Sequence, residues 1–197
     1  MNAQIQQALS DSASDFRDIV WPQIAALPLI QGGDIRPVEA VAEKNFRDEL
    51  DLLSGIDAWQ ILDGRTGMRG IASRVQWGQA HSSFTIRTRV ASGQETEFHK
   101  RLRAIRNIEE GHVYPHLTVQ AYLDQRKGRL LAAAVVRTKE LIELAAVRVA
   151  EREKEPPQSQ HYGFRPNADG TEFLYLNWTY LVREAVLSAD NIVQAAV

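Results

Sequence analysis

The sequence predicts an α/β fold, with a central mixed sheet and an α-β-β-β-α-β core flanked by helices. Apolar residues first recur at helical spacing over residues 37–53. The period then changes to two over residues 56–90, which is typical of strands. Helical spacing returns over residues 94–105, before two further strand-like segments. The chain has 197 residues, of which 44% are hydrophobic and 24% charged, and this suits one globular domain.

Two helices are predicted before the first strand of the core. Ser14 is a suitable N-cap for a helix through Val20, and Pro22 is expected to end or kink it. The small polar residues before Ser14 are expected to fray. Pro37 suits the first turn of the second helix, which Gly55 closes.

Three strands follow, at 56–63, 68–77 and 83–90. The sequence Asp-Gly-Arg-Thr-Gly at 63–67 is typical of a turn between the first two. Because consecutive strands usually pair, we expect an antiparallel meander, with the helix at 94–105 crossing one face of the sheet.

The second half of the chain continues in the same manner. Its predicted elements are strands at 117–124 and 129–136 with a hairpin turn at 125–128, a long helix at 138–155, a loop at 155–170, a strand at 171–180 and a terminal helix from about 181. We interpret residues 1–197 as a single domain. Its core covers about 37–155, and a C-terminal strand-helix extension covers about 171–197.

Several classes of function are disfavoured by composition. The chain has no cysteine, which excludes disulfides, thiolate metal sites and cysteine nucleophiles and fits a cytoplasmic location. Neither Gly-x-Gly-x-x-Gly nor Gly-Lys-Ser/Thr is present, so a nucleotide cofactor is not indicated. No apolar run approaches the roughly 20 residues that cross a bilayer, and we expect no membrane partner.

Positive charge is concentrated in the middle of the chain. Residues 65–106 contain nine basic and two acidic residues, whereas the whole chain has a net charge of −2. Such a segment is typical of a surface for DNA or RNA, although it also fits a solvated helix face. Trp59 and Trp77 are candidates for base stacking or for the core. The predicted nucleic-acid-binding residues are Arg87, Arg89, Lys100, Arg101, Arg103 and Arg106.

Asp57 is the most informative residue for chemistry, because it opens a strand that is otherwise apolar or amide-bearing. A carboxylate in that position needs a metal, a base or a hydrogen-bond donor. Glu49 and Asp51 lie near the end of the preceding predicted helix. Arg74 and Gln76 share one face of the next strand, which could be the face that presents Asp57.

This pattern resembles the PD-(D/E)XK nuclease superfamily over residues 37–136. The resemblance implies that Asp57 binds Mg²⁺ or Mn²⁺ and that Glu49 is the acid on the helix. Beyond the resemblance, Asp51 or Glu49 is a candidate for a further oxygen ligand of the metal. The resemblance also assigns Ala72 and Arg74 to positions where the family has Glu or Gln and Lys. Ala72 cannot ligate a metal, and Arg74 stays charged and is a poor general base.

Three functions therefore remain open. The first is a metal-dependent endonuclease or exonuclease, with Glu49, Asp57, Arg74 and Gln76 as catalytic residues. The second is a catalytically inactive nuclease-like subunit that binds nucleic acid or a protein partner in a mobile-element or defence complex. The third is a protein-interaction subunit, including a homo-oligomer, that binds no nucleic acid.

Overall fold

The computed structural model describes residues 3–38, 55–62, 67–110, 112–152 and 161–194. The α helices are α1 (Ala3–Asp15), α2 (Trp21–Ile24), α3 (Glu97–Arg106), α4 (Thr138–Arg152) and α5 (Trp178–Arg183), with a π-helical turn at Phe16–Val20 and 3-10 turns at Ile108–Glu110 and Ala189–Asn191. The strands are β1 (Asp34–Pro37), β2 (Ala58–Ile61), β3 (Met68–Trp77), β4 (Ser83–Arg89), β5 (Leu117–Leu123), β6 (Leu130–Arg137), β7 (Tyr162–Pro166), β8 (Glu172–Asn177) and β9 (Ile192–Gln194). The predicted α/β class with a mixed sheet is confirmed.

The strands form two sheets. The large sheet has the order β1-β2-β3-β5-β6-β9, and the small sheet has the order β4-β8-β7. Strand β3 pairs antiparallel with β2 and parallel with β5, and the remaining pairs are antiparallel. The parallel pair makes the large sheet mixed and places β3 at its centre.

One face of the large sheet is covered by the N-terminal helices. Alternate residues of β3, including Ile71 and Val75, point to this face and are buried with Phe16, Val20 and Ile24. The other face carries a second apolar core, which the small sheet, α3, α4 and α5 share. Its fully buried members include Phe84, Tyr122, Ile142, Leu174 and Leu181.

The prediction that three consecutive strands form a meander is wrong for the third strand, β4. Strand β4 belongs to the small sheet, because β2 and β5 already occupy both edges of β3. Positive φ angles of 103° at Gly78 and 46° at Ser82 redirect the chain between β3 and β4. This redirection opens a space between β3 and the small sheet.

The N-terminal predictions need correction. The first helix begins at Ala3 and continues beyond Pro22, because the π-helical turn from Phe16 leads directly into α2 and proline is tolerated in the first turn of a helix. Pro37 ends strand β1, and most of the helix predicted after it lies outside the described residues.

The C-terminal predictions also differ from the structure. The region predicted as a loop includes β7, whose pairing with β8 overrides its loop-like composition. The expected terminal helix is the short α5, after which β9 joins the edge of the large sheet beside β6. Within the part of the chain that the structure describes, no helix combines the length and apolarity needed to span a membrane.

Candidate functional site

Two neighbouring cavities separate β3 from the small sheet. We call the first the arginine cavity, because Arg74, Arg87 and Arg101 line it; its volume is about 430 Å³. We call the second the aromatic cavity, because Phe173 and Tyr175 line it; its volume is about 680 Å³. Arg74 lines both cavities, which therefore adjoin each other, and we call the two together the cleft.

Arg74 occupies the centre of this cleft. It lies on the face of β3 opposite to Val75, and its guanidinium carbon is 4.9 Å from the centre of the Phe173 ring. Burial lowers the pKa of Arg74; the carboxylate of Glu97 opposes this shift, and the positive charge of Arg87 adds to it. A guanidinium stays protonated despite such shifts, so the cleft holds buried positive charge.

Arg101 reaches the cleft from α3. This helix begins with a capping box, in which the Thr96 side chain accepts a hydrogen bond from the backbone of His99. One turn later Arg101 Nη2 donates to the carbonyl oxygen of Gly55 at 3.0 Å. A Cβ atom on residue 55 would lie 3.0 Å from that nitrogen, and φ there is +61°, so glycine suits the contact.

Three residues that line the arginine cavity each carry a buried donor without a described partner. Among the described residues, the Nε atoms of Arg87 and Arg101 are buried without a hydrogen-bond partner. Gln120, which pairs with Arg74 across β3 and β5, is only 1% exposed. Its Oε1 accepts from Thr85 Oγ1 at 3.3 Å, while its Nε2 is buried without a partner in the described structure. Since buried donors are normally satisfied, three such nitrogens among the residues that line one cavity are an unusual feature of this region.

Two carboxylates also line the arginine cavity, and they are Asp57 and Glu97. Asp57 Oδ2 accepts a hydrogen bond from the backbone N–H of Ser73 at 2.6 Å, which fixes the carboxylate beside β3. The structure therefore brings Asp57 and Arg74 to the same cavity. Glu49 and Asp51, the other predicted acids, lie outside the described residues.

The described side chains around Asp57 do not by themselves suit Mg²⁺ or Mn²⁺. Ala72 offers no ligand, and two carboxylates face three guanidinium groups in the same cavity. Hard divalent cations need several oxygen ligands, and neighbouring positive charge weakens their binding. Among the residues that the structure describes, no group of three histidine or acidic side chains is arranged to hold a metal.

The aromatic cavity is lined by Gln76, one of the predicted catalytic residues, which does not line the arginine cavity in the described structure. The ring of Tyr175 lies over Gly163 on the neighbouring strand. A Cβ atom on residue 163 would be 2.6 Å from Tyr175 Oη and 2.8 Å from Cζ. Because Gly163 has no side chain, the tyrosine ring can pack directly against this strand of the small sheet.

The other predicted nucleic-acid-binding residues lie elsewhere. Arg103 Nη1 is 2.5 Å from Glu95 Oε1, and both side chains are half exposed. Arg89 Nη2 is 3.8 Å from Glu172 Oε2. Within the described chain, neither cavity is lined by Arg89, Lys100, Arg103 or Arg106.

Trp77, a predicted candidate for base stacking or for the core, has partners within the structure. Trp77 Nε1 donates to Asp15 Oδ2 at 2.8 Å, and the guanidinium of Arg126 lies 5.0 Å from the ring centre. Trp77 also lines both cavities. Trp59 packs in a small apolar cluster with Val38 and Ile56.

Sequence reasoning missed Glu97, Gln120, Phe173 and Tyr175. A usable signal existed for Gln120, because it is an amide within the otherwise apolar central run of β5. Phe173 and Tyr175 alternate with buried Leu174 and Leu176, which indicates that their strand has a second face. No family model matches the chain, and no curated protein or solved structure matches it either.

Proposed function

We propose that the protein binds nucleic acid by holding a backbone phosphate in the arginine cavity. The observation that carries this proposal is the lining of one cavity by three guanidinium groups, those of Arg74, Arg87 and Arg101. A phosphate diester supplies several strong acceptor oxygens and one negative charge. It would therefore accept hydrogen bonds from these groups and relieve the repulsion among the arginines.

The chemistry of the donors favours a phosphate. Guanidinium groups present N–H donors in a planar arrangement that suits phosphate oxygens, and three of them surround one cavity. The concentration of positive charge over residues 65–106 would attract a polyanion to the same region. DNA and RNA both meet these requirements. We further propose a cytoplasmic location, which the lack of cysteine supports.

Two arginines on α3 provide a matched test. Arg101 lines the arginine cavity, whereas Arg103 pairs with Glu95 on the surface. We expect Arg101→Gln to weaken binding of a labelled single-stranded oligonucleotide about tenfold, the value of one charge-assisted contact. Arg103→Gln should change the affinity less than twofold. Fluorescence anisotropy at two salt concentrations measures both effects, and wild-type affinity should fall as salt rises.

Equal losses in the two variants would contradict binding in the arginine cavity. Affinity that is unchanged between low and high salt would contradict a phosphate contact altogether. A protein-interaction subunit without nucleic acid would then be the better interpretation.

A second candidate is metal-dependent phosphodiester cleavage, which the presence of Asp57 and Glu97 beside Arg74 favours. It requires further oxygen ligands, for which Glu49 and Asp51 are the candidates. Incubation with supercoiled plasmid and Mg²⁺ or Mn²⁺ tests it, with Asp57→Asn as the control. Cleavage that Asp57→Asn abolishes would support an enzyme. No cleavage, together with salt-dependent binding, would support a binding subunit of a mobile-element or defence complex.

A further inference from the structure

The aromatic cavity adjoins the arginine cavity, and Arg74 and Thr85 line both. The group that follows a phosphate held in one cavity would therefore lie close to the other cavity. The aromatic cavity is the larger of the two at about 680 Å³, within the usual range of small-molecule sites.

The lining of the aromatic cavity combines a stacking surface with amide groups. Phe173 already has two guanidinium groups near its ring, those of Arg74 at 4.9 Å and Arg87 at 5.4 Å. Tyr175 lies against Gly163 and is the second aromatic residue that lines the cavity. Gln76 and Asn167 also line the cavity. Their side-chain amides offer both donors and acceptors, as a base edge requires.

We propose that the cleft binds an unpaired nucleotide, with its phosphate in the arginine cavity and its base against Tyr175 in the aromatic cavity. This inference rests on the proposed function and adds to it the state of the nucleic acid. A base within a duplex is stacked and paired, and entering the cavity would require breaking those contacts. The protein should therefore prefer single strands to duplexes.

The experiment compares two labelled 12-nucleotide DNA strands, one of thymidines and one of abasic sites with the same phosphate backbone. We expect the thymidine strand to bind about tenfold more tightly, as stacking on one aromatic side chain provides. Tyr175→Leu should remove this difference in affinity, because it should lower the affinity for the thymidine strand only. Tyr162→Leu is the matched control, because Tyr162 lies on the opposite face of the small sheet, near Tyr180.

Equal affinity of wild-type protein for the two strands would overturn the base site. Equal weakening of both strands by Tyr175→Leu, or a preference for duplex over single strand, would also overturn it. The proposed phosphate site is tested separately, because Arg101→Gln should lower the affinity for both strands. If Tyr175→Leu does not fold, the comparison of the two strands with wild-type protein still decides the question.

Discussion

The two faces of the large sheet differ in character around β3. On the helix-covered face, Ile71 and Val75 are buried in an apolar core, and Trp77 Nε1 donates to Asp15. On the cleft face, Arg74 is buried near Glu97 and Arg87, and beside it on β5 lies Gln120, whose Nε2 has no partner in the described structure. The comparison teaches that one side of this sheet supplies an apolar core, whereas the other side supplies charged and polar groups that line a cavity. Substitutions on the two faces should therefore have separable effects.

The largest expected effect is on the helix-covered face. Ile71→Ala removes a fully buried side chain packed against the N-terminal helices. We expect the free energy of unfolding to fall by about 2–5 kcal/mol, as for other large-to-small core substitutions. Urea denaturation followed by circular dichroism measures this loss. A decrease below about 1 kcal/mol would show that this face contributes less to stability than its packing indicates.

The small sheet provides a contrasting case, in which a buried charged side chain has hydrogen-bond partners. Glu172 lies on its covered face, where Oε1 accepts hydrogen bonds from Arg152 and from Thr88, the latter at 3.2 Å. Burial tends to raise the pKa of Glu172, but these hydrogen bonds and the nearby positive charge outweigh it, and the pKa is lowered from its ordinary 4.5. We expect Glu172→Gln to cost about 2 kcal/mol of stability at pH 7.

The sign of the pH dependence follows from this lowered pKa. The ionised carboxylate stabilises the fold fully at pH values above about 4.5, and this contribution is lost as pH falls through the lower, folded-state pKa. Urea denaturation of wild type and Glu172→Gln from pH 7 to pH 3 should therefore show curves that converge at acidic pH. Parallel curves would contradict the role assigned to this carboxylate.

The sequence predicted the order of most elements of the fold, because apolar periodicity reports which side of a strand or helix is buried. It did not predict that β4 leaves the sheet of β2 and β3. That outcome depends on β5 pairing with the edge of β3, a contact between distant segments. Strand β7 was missed for a related reason, since its polar, proline-bounded sequence becomes a strand only by pairing with β8.

The candidate site was predictable only in part. Asp57 and Arg74 could be placed together, because neighbouring strands bring their residues to one region. Arg101 could not be distinguished from Arg103 by composition, since the choice depends on which side of α3 faces the cleft. Gln120 and Tyr175 come from segments far along the chain, and only the two-sheet arrangement brings them to Arg74.

On the cleft face, Arg74→Gln should affect binding far more than folding. We expect the affinity for a single-stranded oligonucleotide to fall about tenfold or more, equivalent to about 1.4 kcal/mol. Stability should change by less than about 1 kcal/mol. The lost contact with Phe173 and attraction to Glu97 are offset, because a buried charge and its repulsion from other arginines are removed. Anisotropy and urea denaturation measure the two quantities. The exposed Arg106, as Arg106→Gln, is the control, and a similar loss of affinity there would indicate a diffuse surface effect.

Gln120→Leu should have the smallest effects, and it tests the comparison most sharply. We expect it to raise stability and to lower oligonucleotide affinity. The substitution removes a buried N–H donor without a described partner at nearly constant side-chain volume, at the cost of the 3.3 Å hydrogen bond from Thr85. We expect stability to rise by about 1 kcal/mol, since an unsatisfied buried donor is unfavourable. Oligonucleotide affinity should fall severalfold, because the arginine cavity then loses one of its polar lining residues. Urea denaturation and anisotropy on the same preparation measure both changes. A loss of stability together with unchanged affinity would show that Gln120 serves the fold and that the cleft is not built around a ligand.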